Sequence, residues 1–81
     1  MKIKYFAWIK ELTKINDEYL DSNEIQNLKN LKKFLSTKYP GLQKHFDQEI
    51  LRFAVNQEYF VENINLNEDD EIAVFPPVSG G

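Results

Sequence analysis

With 81 residues, of which 42% are hydrophobic and 28% charged, the chain has the size and composition of one small soluble domain. Its net charge of −3 argues against nucleic acid as the principal partner, because backbone phosphates require a basic surface. No apolar run approaches the roughly 18 to 20 residues that span a bilayer, and no signal peptide precedes Met1, so we expect no membrane partner and a cytoplasmic location. The chain has no cysteine, which excludes disulfides, a thiolate nucleophile and cysteine-ligated zinc.

Two further patterns concern catalysis and metal binding. His45 is the only histidine, and no nearby residue completes a triad or a ligand set, so we interpret it as an ordinary polar residue in a loop. The acidic run Glu68-Asp69-Asp70-Glu71 lacks the alternating spacing and the glycine of a calcium loop. We interpret it as a solvated turn before a strand. The sequence therefore predicts neither a metal site nor a catalytic centre of its own.

The first elements form a predicted hairpin interrupted by a short helix. The segment from Lys2 to Trp8 alternates with the period of a β-strand. This alternation places Ile3, Tyr5 and Ala7 on one face and Lys2, Lys4, Phe6 and Trp8 on the other. A short helix from Ile9 to Lys14 and a second strand from Glu18 to Asp21 follow, and we expect this strand to pair with the first.

The middle of the chain predicts the main helix. Asn23 followed by Gln26 is typical of a helix N-terminus with a capping box. Apolar residues then recur at helical spacings, with the lysines at 29, 32 and 33 on the solvent side: Ile25, Leu28, Leu31, Phe34 and Leu35. Pro40-Gly41 ends the helix, and residues 40 to 49 are predicted to form a connecting loop with a single helical turn.

Three more strands complete the pattern. Leu51, Phe53 and Val55 alternate with polar or small residues as a third strand, Asn56-Gln57 predicts a turn, and Tyr59 to Glu62 forms a short fourth strand. A loop from Asn63 to Asp70 leads to a final strand from Glu71 to Phe75.

This order predicts an α+β fold, a ubiquitin-like β-grasp with a mixed five-stranded sheet and one main helix packed on one face. A right-handed crossover through the helix should place the third strand parallel to an earlier one. We expect residues 1–75 to form the domain and residues 76–81 to form an extended, flexible C-terminal tail.

The tail carries the strongest functional signal. Pro76 and Pro77 fix φ near −65° and favour polyproline geometry, which directs the tail away from the domain. From Pro76 to Gly81 the extended chain reaches about 20 Å, enough to enter a deep pocket. Gly80 and Gly81 lack Cβ atoms, so a partner's backbone can approach closely. Gly-Gly also occurs in frayed termini and linkers, but the Pro-Pro lead-in favours a reactive terminal carboxylate.

The strand faces predict a docking surface at the base of this tail. Phe6 falls on the lysine-bearing face of the first strand, and Phe75 falls on the face of the last strand that lies opposite the helix. If these strands are neighbours, the two rings form an apolar patch, with Tyr59 of the fourth strand as a third candidate. A cluster of exposed apolar side chains is typical of a protein-binding site.

Three stretches of the sequence resemble the small, sulfur-carrier subunit of molybdopterin synthase. They are the C-terminal run DEIAVFPPVSGG over residues 70–81, the turn Ala54-Val55-Asn56-Gln57, and the opening Tyr5-Phe6-Ala7 with Lys10-Glu11-Leu12. The resemblance spans both ends and most of the length, whereas the middle helix matches only in its pattern. The terminal motif is specific to that family, although Gly-Gly alone would not be.

The resemblance implies a role for each part of the tail. Gly81, preceded by Gly80, is adenylated with ATP by an activating enzyme, converted to a thiocarboxylate and inserted into the large synthase subunit. There its sulfur is transferred to a cyclic pterin precursor to build the dithiolene of the molybdenum cofactor. This chain then binds no cofactor itself, and the catalytic groups lie on the large subunit of a heterotetramer. The implied contacts with that subunit are Phe6, Lys10, Tyr59, Phe75, Pro76, Pro77, Val78 and Ser79, although Tyr59 departs from the aliphatic residue often found at its position.

Three alternatives stay open at this level. Thiazole-forming sulfur carriers for thiamine share the fold and the Gly-Gly end, but they are generally shorter and lack the Phe-Pro-Pro lead. A ubiquitin-like modifier would use the same activated carboxyl to join lysines of other proteins. A plain interaction domain with an inert tail predicts that removal of Gly81 leaves activity unchanged.

Overall fold

The computed structural model describes residues 1–21 and 23–77, and it arranges five strands in one mixed sheet. The order of the strands across the sheet is β2-β1-β5-β3-β4. In chain order the elements are β1 (Lys2–Tyr5), α1 (Ile9–Thr13), β2 (Asp17–Tyr19), α2 (Leu28–Lys38), a 3₁₀ turn (Pro40–Leu42), α3 (Gln43–Asp47), β3 (Arg52–Val55), β4 (Glu58–Phe60) and β5 (Glu71–Phe75). Within the described residues, no helix is long and apolar enough to cross a bilayer.

Strands β1 and β5 are parallel and central, with Lys2 opposite Glu71 and Tyr5 opposite Val74. Strand β2 pairs antiparallel with β1, and β3 pairs antiparallel with both β4 and β5. The predicted β-grasp is confirmed. The expectation that the third strand runs parallel to an earlier one is met by β2: β3 is antiparallel to β5 and therefore to β1, whereas β2 is also antiparallel to β1. The two strands are not neighbours, because β1 and β5, with the fully buried Ile72 and Val74, lie between them.

The core lies between α2 and one face of the sheet, and its side chains follow the predicted periodicities. Every second residue of the three inner strands is buried, as are three residues of α2 at helical spacing: Ile3, Tyr5, Phe53, Val55, Ile72, Val74, Leu28, Leu31 and Leu35. Strand alternation and the three-four helical spacing therefore place the same residues in the core that the sequence assigned to it.

The first strand ends earlier than predicted. Strand β1 stops at Tyr5, and Ala7 has φ 57°, a left-handed conformation that a non-glycine residue adopts at a cost. This residue turns the chain so that Ile9 enters the core at the start of α1. As a result Ala7 is exposed rather than facing the core, and Trp8 lies at the N-terminus of α1 rather than in the strand.

The main helix begins later than the predicted capping box. The Asn27 side chain caps α2 by accepting a hydrogen bond from the Asn30 N–H at 2.8 Å, whereas the Asn23 N–H donates to the Asp21 carboxylate in a preceding turn. Residues next to the cap run beside a later loop, since the Leu66 N–H donates to the Gln26 carbonyl and the Leu28 N–H donates to the Ile64 carbonyl. This long-range pairing, which includes a bridge between Asn27 and Asn65, accompanies an extended Asn27, and no local sequence signal encodes it.

The remaining boundaries differ by a few residues. The connection after α2 contains two helical segments, the 3₁₀ turn and α3, rather than one turn in a loop. Helix α3 is fixed by Phe46, whose ring stacks on Phe53 at 5.6 Å between centroids. Strands β2 and β4 each start one residue before the predicted start and end two residues before the predicted end. For β4 the reason is the two-residue turn at Asn56 and Gln57, whose φ values of 52° and 70° set the register.

The acidic run before β5 is only partly solvated, as Asp70 is buried. Its carboxylate accepts hydrogen bonds from the Asn56 side-chain amide at 2.8 Å and from the Asn67 N–H at 2.7 Å. The prediction of a solvated turn is correct for Glu68 and Asp69, which are exposed, but wrong for Asp70. This carboxylate ties the β3–β4 turn to the start of β5, and no metal-binding group of acids or histidines occurs among the described residues.

Glu18 of β2 connects three elements on the helix side of the sheet. Its Oε2 accepts hydrogen bonds from the hydroxyls of Tyr5 at 2.6 Å and Tyr39 at 2.5 Å, and its Oε1 accepts one from Lys38 Nζ at 2.5 Å. Burial opposes ionisation of this carboxyl. The hydrogen bonds from Lys38, Tyr39 and Tyr5 outweigh burial and lower the Glu18 pKa from its ordinary value.

We predict that Glu18→Gln lowers the free energy of unfolding at neutral pH by about 2 kcal/mol, because charge-assisted hydrogen bonds are lost. Since the folded-state pKa of Glu18 is lowered, its contribution is present above the unfolded pKa of about 4.3 and is lost as the pH falls through the folded pKa. Urea unfolding of the two proteins at pH 7 and at pH 3 measures both the loss of unfolding free energy and its dependence on pH. The difference between the two proteins should shrink at pH 3, and an equal difference at both pH values would contradict this account.

Candidate functional site

The two strands that carry the predicted patch end side by side. Because β1 and β5 are parallel and in register, the residues that follow them emerge at the same end of the sheet. The Phe6 N–H donates to the Val74 carbonyl at 3.1 Å, which fixes Phe6 beside the last residues of β5. The Phe6 side chain is 45% exposed, although it is a large apolar group. The prediction that the first and last strands are neighbours is confirmed.

Tyr59 and Phe75 extend this apolar surface across the sheet. Their ring centroids lie 6.2 Å apart with an interplanar angle of 53°, on the face opposite α2. Tyr59 is 52% exposed and stands opposite the small Ala54 in the register. Phe6, Ala7, Phe75, Pro76 and Pro77 line an apolar hollow of about 480 Å³. We call these five residues together with Tyr59 the tail-base patch.

Ala7 is the member of this patch that the sequence failed to reveal. Strand alternation assigned it to the core, but its left-handed backbone exposes it beside Phe6. Pro76 and Pro77 follow directly from β5 and line the hollow. The arrangement consists of apolar side chains around an open surface, and it can therefore bind a partner through burial of apolar area.

The other predicted site residues lie away from the hollow or outside the described residues. Lys10 is exposed in α1, where its N–H donates to the Ala7 carbonyl at 3.3 Å, but it does not line the hollow. Val78, Ser79, Gly80 and Gly81 lie outside the described residues, so their roles stay predictions.

His45 occupies helix α3 rather than a loop. Its ring lies 4.7 Å from that of Trp8, and within residues 1–21 and 23–77 its buried Nδ1 has no hydrogen-bond partner. Sequence reasoning missed this contact because Trp8 was assigned to the first strand. The pair packs α1 against α3 and takes no part in the tail-base patch.

The fold is that of a ubiquitin-like β-grasp protein, with a small mixed sheet and a helix across one face. An exposed apolar patch lies where the last strand is followed by a Gly-Gly tail, and this combination is typical of the carrier type. A family profile described as ThiS family matches residues 3–81. A Homo sapiens protein named molybdopterin synthase sulfur carrier subunit is 40% identical over 85 residues, covering 100% of this chain and 93% of that protein. The chain therefore belongs to the ThiS family, among the molybdopterin synthase sulfur carrier subunits.

Solved structures agree in fold. A Pyrococcus furiosus structure, titled putative molybdopterin converting factor, subunit 1, superposes with a TM-score of 0.83 at 24% identity and covers 95% of both chains. A second structure, a complex of subunits 1 and 2 of molybdopterin-converting factor from Helicobacter pylori, has a TM-score of 0.71 at 27% identity, covering 99% of this chain and 96% of the matched chain. That neighbour forms a complex with a second subunit.

Proposed function

We propose that this chain is the sulfur carrier of a molybdopterin synthase and that the carboxylate of Gly81 carries the sulfur. The observation that supports this most directly is the tail-base patch, because Pro76 and Pro77, the first two residues of the tail, line its apolar hollow. A partner that binds the patch is therefore positioned to receive the tail. The likeness to relatives named molybdopterin synthase sulfur carrier subunits supports the same reading.

The chemistry begins with activation of the Gly81 carboxylate. A carboxylate is a poor acyl donor, so one oxygen attacks the α-phosphorus of ATP on an activating enzyme, and pyrophosphate leaves. A hydrosulfide equivalent then displaces AMP from the acyl adenylate and leaves a thiocarboxylate. ATP is a substrate of the activating partner, and this chain holds no cofactor of its own. The absence of cysteine keeps the sulfur from being diverted into a disulfide within the carrier.

The loaded tail then enters the active site of the large subunit. Gly80 and Gly81 allow a narrow channel to close around the backbone. The thiocarboxylate sulfur acts as a polarizable nucleophile toward a cyclic pterin precursor, and hydrolysis of the acyl–sulfur bond returns the carboxylate. Phe6, Tyr59 and Phe75 contact the large subunit, with Lys10 and the tail residues Val78 and Ser79 as further contacts. The complex titled with two molybdopterin-converting factor subunits supports a partner of this kind. We place these steps in the cytoplasm.

Intact mass spectrometry tests the carrier role. The chain is incubated with the activating enzyme, ATP and a sulfur donor, beside a sample without ATP. We expect a mass gain equal to the exchange of one oxygen for sulfur, located on Gly81 by fragmentation and absent without ATP. No gain in the presence of an enzyme that is active on another carrier would contradict the proposed function.

A further inference from the structure

The sheet has two edges, and the backbone groups of β4 are available at one of them. The turn at Asn56 and Gln57 has two residues, so the flanking pair Val55 and Glu58 is hydrogen-bonded. By strand alternation the Tyr59 N–H and C=O then point away from β3, toward solvent. The Tyr59 side chain meanwhile belongs to the tail-base patch.

Apolar side chains lie near this edge on both faces of the sheet, and charged side chains surround them on the helix side. Tyr59 is 52% exposed on the outer face, and Val61, which follows β4, is 72% exposed. On the helix side, a groove of about 390 Å³ runs between β4 and the start of α2. Its apolar lining includes Leu28, Phe53 and Phe60, and its charged lining residues are Lys29, Lys32, Glu49, Arg52 and Glu62. Alternate side chains of an added strand would therefore meet Tyr59 on one face and this groove on the other.

The opposite edge, β2, shows what a protected edge looks like in the same sheet. The Leu20 N–H donates to the Met1 carbonyl and the Tyr5 N–H donates to the Asn16 carbonyl, so alternation turns the Tyr19 N–H outward. The Lys2 ammonium lies 5.8 Å from the centroid of the Tyr19 ring, and Asp17 adds a further charge. Charged side chains of this kind discourage strand addition. Strand β4 has one charged residue, Glu58 beside the turn, and among the described residues no lysine lies over the Tyr59 ring.

We infer that the large subunit adds an extended segment to β4, pairing with the backbone of Tyr59 and so extending this sheet into the partner. The inference rests on the proposed function. A partner that holds the tail must sit on the tail-base patch, and Tyr59 is common to the patch and to the edge. Main-chain pairing would supply binding energy, and the groove beside Phe60 would select an apolar side chain of the added strand.

The test removes one N–H and keeps every side chain. Tyr59 is replaced by its α-hydroxy acid analogue, which turns the Glu58–Tyr59 peptide bond into an ester. The same change at Tyr19 is a matched control, because both tyrosines are exposed, lie in edge strands and direct their N–H outward. Thermal unfolding verifies that the two esters perturb the fold equally. Affinity for the large subunit and hydrogen exchange of the Tyr59 and Tyr19 amides in the unmodified chain are then measured.

We expect the ester at Tyr59 to weaken binding about threefold to tenfold, as for the loss of one hydrogen bond, and the ester at Tyr19 to change it less than twofold. Exchange of the Tyr59 amide should slow in the complex, whereas exchange of the Tyr19 amide should not. If the unmodified chain binds tightly and the two esters weaken its binding equally, the inferred strand addition is wrong, but the proposed function is not contradicted. If the unmodified chain fails to bind, both this inference and the proposed function are wrong. If the Tyr59 ester instead dissociates a dimer of this chain, the occupant is a second copy and the inference is wrong.

Discussion

Deletion of Gly81 is expected to lower sulfur transfer at least a hundredfold while leaving the fold intact. The truncated chain still ends in a carboxylate, but that carboxylate is displaced by about 3.3 Å along the extended tail. Misplacement of a reacting group by even 1 Å can cost about a hundredfold in rate. The domain should keep its unfolding temperature because the core lies within residues 1–74. Rates of thiocarboxylate formation and of dithiolene formation measure the effect.

A chain lengthened by one glycine provides the matched control for this prediction. It keeps the Gly-Gly sequence and a terminal carboxylate, but it shifts the carboxylate by the same distance in the opposite direction. We expect both length variants to be inactive and both to unfold at the same temperature as the unaltered protein. Activity of the truncated chain within threefold of the full chain would support an inert tail instead.

Phe75→Ala is expected to weaken binding to the large subunit about thirtyfold, which corresponds to about 2 kcal/mol for an aromatic anchor at the centre of an interface. The ring packs against Tyr59 and lines the hollow, but it lies on the outer face of the sheet. Its removal should therefore cost folding less, about 1 kcal/mol. Isothermal titration with the large subunit and urea unfolding measure the two effects separately.

Tyr19→Ala is the control for Phe75→Ala. Tyr19 is also an aromatic residue on a strand and is 76% exposed. It lies on β2, at the opposite edge of the sheet from β4. We expect it to leave the affinity for the large subunit unchanged. Equal losses of binding and folding free energy for Phe75→Ala, or equal binding losses for the two variants, would remove Phe75 from the docking surface.

Much of the fold could be predicted because its determinants are local. Alternating burial in β1, β3 and β5 and the apolar spacing of α2 are visible in the sequence. The turn at Asn56 and Gln57 is also visible in the sequence. The parts that failed depend on contacts distant in sequence: the start of α2 is set by pairing with residues 64–66, and Asp70 is buried because Asn56 approaches it from another loop.

The site shows the same division between local and distant determinants. Phe6 and Phe75 could be placed on one surface because alternation holds in β5 and in β1 up to its end at Tyr5, and the fold makes the two strands neighbours. Ala7 was assigned to the wrong face, because a left-handed alanine has no signature in sequence. The free edge of β4 depends on the order of strands in the sheet, which local patterns do not determine.

The most direct test of the central claim is a single-turnover experiment that follows the mass of the carrier. Thiocarboxylated chain is mixed with the large subunit and the cyclic pterin precursor, and the intact mass of the chain and the amount of dithiolene product are measured together. Because a dithiolene contains two sulfur atoms and each tail carries one, we expect two thiocarboxylates to return to carboxylates for each product formed. Product formation without loss of sulfur from Gly81 would contradict the account.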